Sequence, residues 1–146
     1  MAATAMSSKK DEDKEGFSQF DGLDKGSVLQ ETRLFNEKGV RDHSPTIRAC
    51  RLLMTKVLYM LGQGETFNAE QATELFFRVT KLFQCKDVHL RRLVYLLVKS
   101  LAENADQAFI VTNCLQQDIN RTDQPMFRAN AMRVLCRIID SAMVRA

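Results

Sequence analysis

Apolar residues recur along this chain every three or four positions, and six stretches carry that pattern. The first spans about Lys25 to Glu37, with Val28, Leu29, Thr32 and Phe35 on one face. Asp24 or Ser27 is placed to cap its start, and Gly39 follows its end. The second opens at Ser44-Pro45, a capping residue followed by proline at the first helical position. It carries Ile47, Cys50, Met54, Val57, Leu58 and Leu61, and Gly62-Gln63-Gly64 stops it. The third opens at Asn68 with Gln71 three residues on, the spacing of a capping box. Its inward face is Ala72, Leu75, Phe76, Val79 and Phe83. Asp87 caps the fourth, in which Leu93 to Val98 run without a charged residue. A helix apolar on all sides is expected to be surrounded by others. The fifth starts at Asn104 and turns Ala108, Val111, Leu115 and Ile119 inward. The sixth follows Asp123-Gln124-Pro125 and carries Phe127, Ala131, Val134, Leu135 and Ile138, and a seventh starts at Asp140. No alternating pattern long enough for a strand is present.

The helices echo one another. Leu90, Val94, Leu97, Val98 and Leu101 recur 37 residues later as Phe127, Ala131, Val134, Leu135 and Ile138, and Arg91 recurs as Arg128. Ile47-Arg48 lies 43 residues before Leu90-Arg91. A helix pair repeating every 37 to 43 residues points to an all-α solenoid of HEAT or armadillo type. A compact six-helix bundle is the alternative. The pattern divides the chain into a flexible tail over residues 1–20 and a solenoid over 21–146. The last residues carry no polar capping helix, as though the array were truncated there.

Composition narrows the function more than it defines it. The chain has 45% apolar and 27% charged residues and a net charge of +3. No basic run exceeds the pairs Lys9-Lys10 and Arg91-Arg92, so nucleic acid is not an expected partner. The start, MAATAMSSKKDEDKEG, lacks the apolar core of a secretory signal. No stretch approaches the ~20 apolar residues that span a bilayer. These features suit a cytosolic or nuclear protein. Cys50, Cys85, Cys114 and Cys136 are widely spaced and form no CxxC pair, which suits small buried thiols better than zinc ligands. Of the two histidines, His43 falls in a loop and His89 at a helix start. No phosphate-binding glycine loop and no nucleophile–base spacing occur, so neither catalysis nor a metal or cofactor is expected.

That leaves surfaces. With Ala108, Val111, Leu115 and Ile119 inward, Phe109 projects about 100° away and Ile110 nearly opposite. These side chains either pack against a neighbouring repeat or form an exposed patch for a protein partner, rimmed by Thr112, Asn113 and Gln116.

Six segments, SVLQETRLFNE (27–37), LMTKVLYMLGQGE (53–65), ATELFFRVTKLFQCKD (72–87), LRRLVYLLVKSL (90–101), AFIVTNCLQQDI (108–119) and FRANAMRVLCRIIDSAM (127–143), resemble in order one known trunk. It is the N-terminal trunk of the coatomer (COPI) gamma-subunit family, among the adaptin and coatomer large chains. The resemblance covers roughly residues 17–146. The adaptin chains of clathrin adaptors share LRRLVYL and the helix after it, but not the first helix. An adaptin-like chain or a general HEAT scaffold is the alternative reading.

The resemblance implies a right-handed α-solenoid that works as a non-catalytic scaffold. It implies binding to the GTP form of an Arf-family GTPase, to the coatomer zeta subunit and to other coatomer subunits. Membrane association would be peripheral and through these partners, on Golgi membranes and COPI-coated vesicles, in transport within the Golgi and back to the endoplasmic reticulum. Carried onto this chain, the GTPase contacts implied are Phe109 and Thr112, with Asn113 and Gln116 beside them, and Phe67 and Glu70 from the adjacent repeat.

Overall fold

The computed structural model describes residues 20–37, 45–103 and 108–145. The expected tail up to residue 19, Gly39, His43, the Ser44 cap and the helix start at Asn104 lie outside the described residues. Among the described residues there are six α-helices: α1 Lys25–Glu31, α2 Pro45–Gly62, α3 Ala69–Thr80, α4 Val88–Leu101, α5 Thr112–Ile119 and α6 Pro125–Arg145. Tight 3-10 turns extend α1 (Thr32–Asn36) and α3 (Lys81–Gln84), and another, Ala108–Val111, leads into α5. No strand occurs among the described residues.

Local chemistry sets the helix starts. Asp24, not Ser27, caps α1, its carboxylate accepting from the Ser27 amide at 2.8 Å and the Ser27 hydroxyl at 3.0 Å. Those bonds, the backbone one first, hold the Asp24 carboxyl below its ordinary pKa. Asn68 accepts from the Gln71 amide at 2.8 Å while the Gln71 side chain accepts from the Asn68 amide at 3.1 Å, completing the box. Asn68→Ala opens that box, and a loss of about 0.5–2 kcal/mol is expected in denaturant unfolding. Asp87 accepts from the Leu90 amide at 2.8 Å. After Gly62, the turn closes through Gly64 at φ +88, a conformation that L side chains rarely adopt.

The helices form three pairs, α1–α2, α3–α4 and α5–α6. Along one layer α2 packs on α4 and α4 on α6. Along the other, the Thr32–Asn36 turn packs on α3, and α3 on the Ala108–Val111 turn. Each helix thus meets its partner and the helix two along, which is the stacking of a solenoid of helix pairs. One apolar cluster runs through all three pairs. Arg78 ties the first two together. Its guanidinium donates to the Leu29 carbonyl and to the Thr32 hydroxyl, and forms an ion pair with Glu74. The same Leu29 carbonyl also accepts from the Thr32 hydroxyl at 2.6 Å.

Helix α4 is central but is not buried on every side. Leu90, Val94, Tyr95, Leu97, Val98 and Leu101 are buried, Leu93 is half-buried, and Leu96 is 51% exposed. A two-layer stack covers α4 from α2, α3 and α6 and leaves one flank open. Three further expectations need correction. Helix α6 continues through Asp140 to Arg145 and no seventh helix starts there, since Ile139-Asp140-Ser141 contains no glycine or proline to break it. Cys50 and Cys85 are buried as expected, but Cys114 is half-buried and Cys136 exposed. Burial pushes the Cys50 thiol up to about 11. Arg128 is exposed whereas Arg91 is fully buried, so the apolar echo between α4 and α6 does not extend to the arginines.

Candidate functional site

The start of α5 presents the candidate patch. Phe109 is 65% exposed, the highest value among the large hydrophobic side chains described. Residues Ala108–Val111 form a 3-10 turn rather than the first turn of an α-helix. With three residues per turn, Ala108 and Val111 stand above one another. Phe109 and Ile110 then project about 120° to either side of that line. Phe109 meets solvent on one side. Ile110, on the other, is half-buried against the core rather than opposite it. Val111 is fully buried and holds the turn down.

Asn113 and Gln116 are exposed and Thr112 is half-buried. The Thr112 hydroxyl donates to the Phe109 carbonyl at 2.6 Å, so it stabilises the turn that displays the ring. Glu70 is exposed in the first turn of α3, the helix that packs on the Ala108–Val111 turn. Phe67 is not available to a partner. It is 3% exposed, and its ring lies in the core with Lys25 Nζ 6.0 Å from its centroid. An apolar ring immediately before a helix cap is drawn inward by the same packing that fixes the entry of the chain into α3. The patch therefore comprises Phe109, Asn113 and Gln116, with Thr112 beneath and Glu70 on the neighbouring helix.

A buried ionic cluster supports α5 from below. Arg91, 0% exposed, forms an ion pair with Asp118 and donates to the Phe83 carbonyl and the Tyr95 hydroxyl. Tyr95 donates in turn to Asp118 at 2.6 Å. The rings of Phe83, Tyr95 and Phe127 enclose the guanidinium, with centroids at 4.9, 5.1 and 4.4 Å. Burial first, and then the bond to Asp118, push the Tyr95 phenol well above its ordinary range, so it remains a neutral donor. One cation thereby links α4, the turn before it, α5 and α6. The sequence carried a signal for this. Asp118 falls three residues after Leu115 and seven after Val111, on the inward face of α5. A carboxylate there needs a buried cation, and Arg91, next to core Leu90, supplies it.

Among the described residues no group of three His, Cys, Asp or Glu side chains could hold a metal ion. Among them also, no helix is long and apolar enough to cross a membrane.

Residues 24–146 match the family model described as the adaptin N terminal region. The chain is 52% identical over 141 residues to coatomer subunit gamma-1 of Oryza sativa subsp. japonica, covering 93% of this chain and 15% of that protein. It is 50% identical over 139 residues to coatomer subunit gamma of Arabidopsis thaliana, with the same coverage of each. Against coatomer subunit gamma of Dictyostelium discoideum it is 44% identical over 136 residues, covering 93% of this chain and 14% of the relative. The chain thus spans about 15% of the length of the curated relatives that it matches.

Proposed function

This chain belongs to the adaptin N-terminal region family, and from that premise we propose that it serves as part of a coatomer gamma subunit. In that role it is a non-catalytic scaffold of the COPI coat, in transport from the Golgi to the endoplasmic reticulum and within the Golgi. It binds the GTP form of an Arf-family GTPase, and the zeta and other coatomer subunits. It is cytoplasmic and reaches Golgi and vesicle membranes through those partners. The identities of 50% and 52% to coatomer gamma chains over nearly all of this chain favour that reading over a clathrin-adaptor chain.

The observation that supports a GTPase contact is the exposed Phe109 ring on a turn anchored by buried Val111. A GTPase that shows an apolar switch surface only when loaded with GTP is recognised by a small apolar patch with a polar rim. Phe109 supplies the apolar centre, Asn113 and Gln116 the rim, and Glu70 a neighbouring charge. Thr112 acts through the turn that it braces. Nucleotide chemistry stays with the GTPase.

Phe109→Asp tests the patch. The ring is outside the core, so helicity and unfolding midpoint are expected to stay unchanged. Affinity for the GTP-loaded GTPase is expected to fall at least tenfold, which is about 1.4 kcal/mol or more. Isothermal titration of both chains measures this. A variant that folds and binds as the wild type does would remove Phe109 from the contact.

A further inference from the structure

An open cavity of about 510 Å3 lies between the Thr32–Asn36 turn and the C-terminal half of α3. Arg33 lines it from the first of these and Lys81 from the Lys81–Gln84 turn that extends α3, and both are exposed. Among the described residues neither forms a salt bridge, whereas Arg78, the third cation lining the cavity, pairs with Glu74. Arg78 at the base is already committed to Leu29, Thr32 and Glu74. That commitment fixes both walls relative to each other. Phe77 also lines the cavity and is 52% exposed, second only to Phe109 among the large hydrophobic side chains.

We propose that this cavity binds an acidic peptide segment of a partner protein, one apolar side chain packing on Phe77 while flanking carboxylates pair with Arg33 and Lys81. The charge pattern favours a peptide over a phosphorylated headgroup. Only two of the cations lining the cavity are unpaired, which suits two single carboxylates better than the dense charge of a polyphosphate. A carboxylate on either side of an apolar residue satisfies both cations and covers the ring. The site is separate from Phe109. Lys25 at the start of α1 bonds the Thr66 carbonyl just before α3, so α1 and α3 run in parallel. Arg91 in the first turn of α4 pairs with Asp118 near the end of α5, so α5 runs the same way as α3. The cavity sits at the C-terminal end of that layer and Phe109 at the opposite end.

The test uses the whole chain and a fluorescein-labelled peptide, Asp-Glu-Phe-Glu-Asp-Leu, followed by fluorescence anisotropy at low ionic strength. Saturable binding is expected that weakens with added salt. Arg33→Glu combined with Lys81→Glu is expected to weaken it at least tenfold, and Phe77→Ser at least fivefold, with unchanged thermal midpoints. A peptide with serine in place of phenylalanine is expected to bind at least fivefold more weakly. The proposal is overturned by absent binding, by binding indifferent to these variants, or by equal binding of the serine peptide. It is also overturned if vesicles containing phosphatidylinositol phosphates bind more tightly than the peptide and lose that binding in the charge-reversed variant. The Phe109→Asp chain is expected to bind the peptide normally, so failure here and failure of the GTPase contact are distinguishable.

Discussion

Asp118→Ala will lower the stability of the chain by about 3–5 kcal/mol, measured by denaturant unfolding. Arg91 has no exposed surface through which its charge could be hydrated. In the native protein its guanidinium is balanced by Asp118 and satisfied by the Phe83 carbonyl and the Tyr95 hydroxyl. Its Nε has no hydrogen-bond partner even then. Alanine leaves a full buried charge with neutral acceptors only, and it also removes the acceptor of the Tyr95 hydroxyl. The surrounding rings of Phe83, Tyr95 and Phe127 offset only part of that loss. A domain of this size has about 5–15 kcal/mol in total, so the substitution consumes a large share. Replacing both partners, Arg91→Met with Asp118→Leu, should recover most of it, because no buried charge then remains. A loss under about 1 kcal/mol for Asp118→Ala would mean that the pair is hydrated in solution and that α5 is held by apolar contacts alone.

Leu97→Asp will abolish cooperative unfolding, with an expected loss above about 4 kcal/mol. Leu97 is 0% exposed on α4, the helix that α2, α3 and α6 enclose. A carboxylate there has lost its water and gained no cation. Leu96→Asp is the control, one position along the same helix but 51% exposed. It should change stability by no more than about 0.5 kcal/mol. Thermal circular dichroism of the two variants therefore reads the register of α4 directly. Similar melts for both would place the stack in a different rotation.

The inward faces were legible because each helix repeats its apolar positions at the helical period. Val28, Leu29, Thr32 and Phe35 are all buried, as are Ala72, Leu75, Phe76, Val79 and Phe83. Caps were legible for the same local reason, since Asn68 with Gln71 needs no tertiary contact to form its box. What the periodicity could not carry was anything that depends on a neighbour. The run from Leu93 to Val98 looks apolar all round, yet whether Leu96 is covered depends on how many layers the stack has. Ile110 was misplaced because the wheel assumed 3.6 residues per turn where the backbone tightens to three. Arg91 read as half of a basic pair, since a lone cation reveals its burial only once Asp118 is seen on the facing helix. Of the patch, the angle of Phe109 to the core was legible but not whether a neighbouring repeat covers it, and the burial of Phe67 was not legible, because it lies in a connection with no period to read.

Titration of the intact chain with the GTP-locked and GDP-bound forms of an Arf-family GTPase tests the proposed recognition of nucleotide state most directly. Binding of the GTP-locked form at least tenfold tighter than the GDP-bound form is the expected result. Equal affinity for the two forms, or no binding by a chain that unfolds cooperatively, would contradict it and leave Phe109 for a different partner.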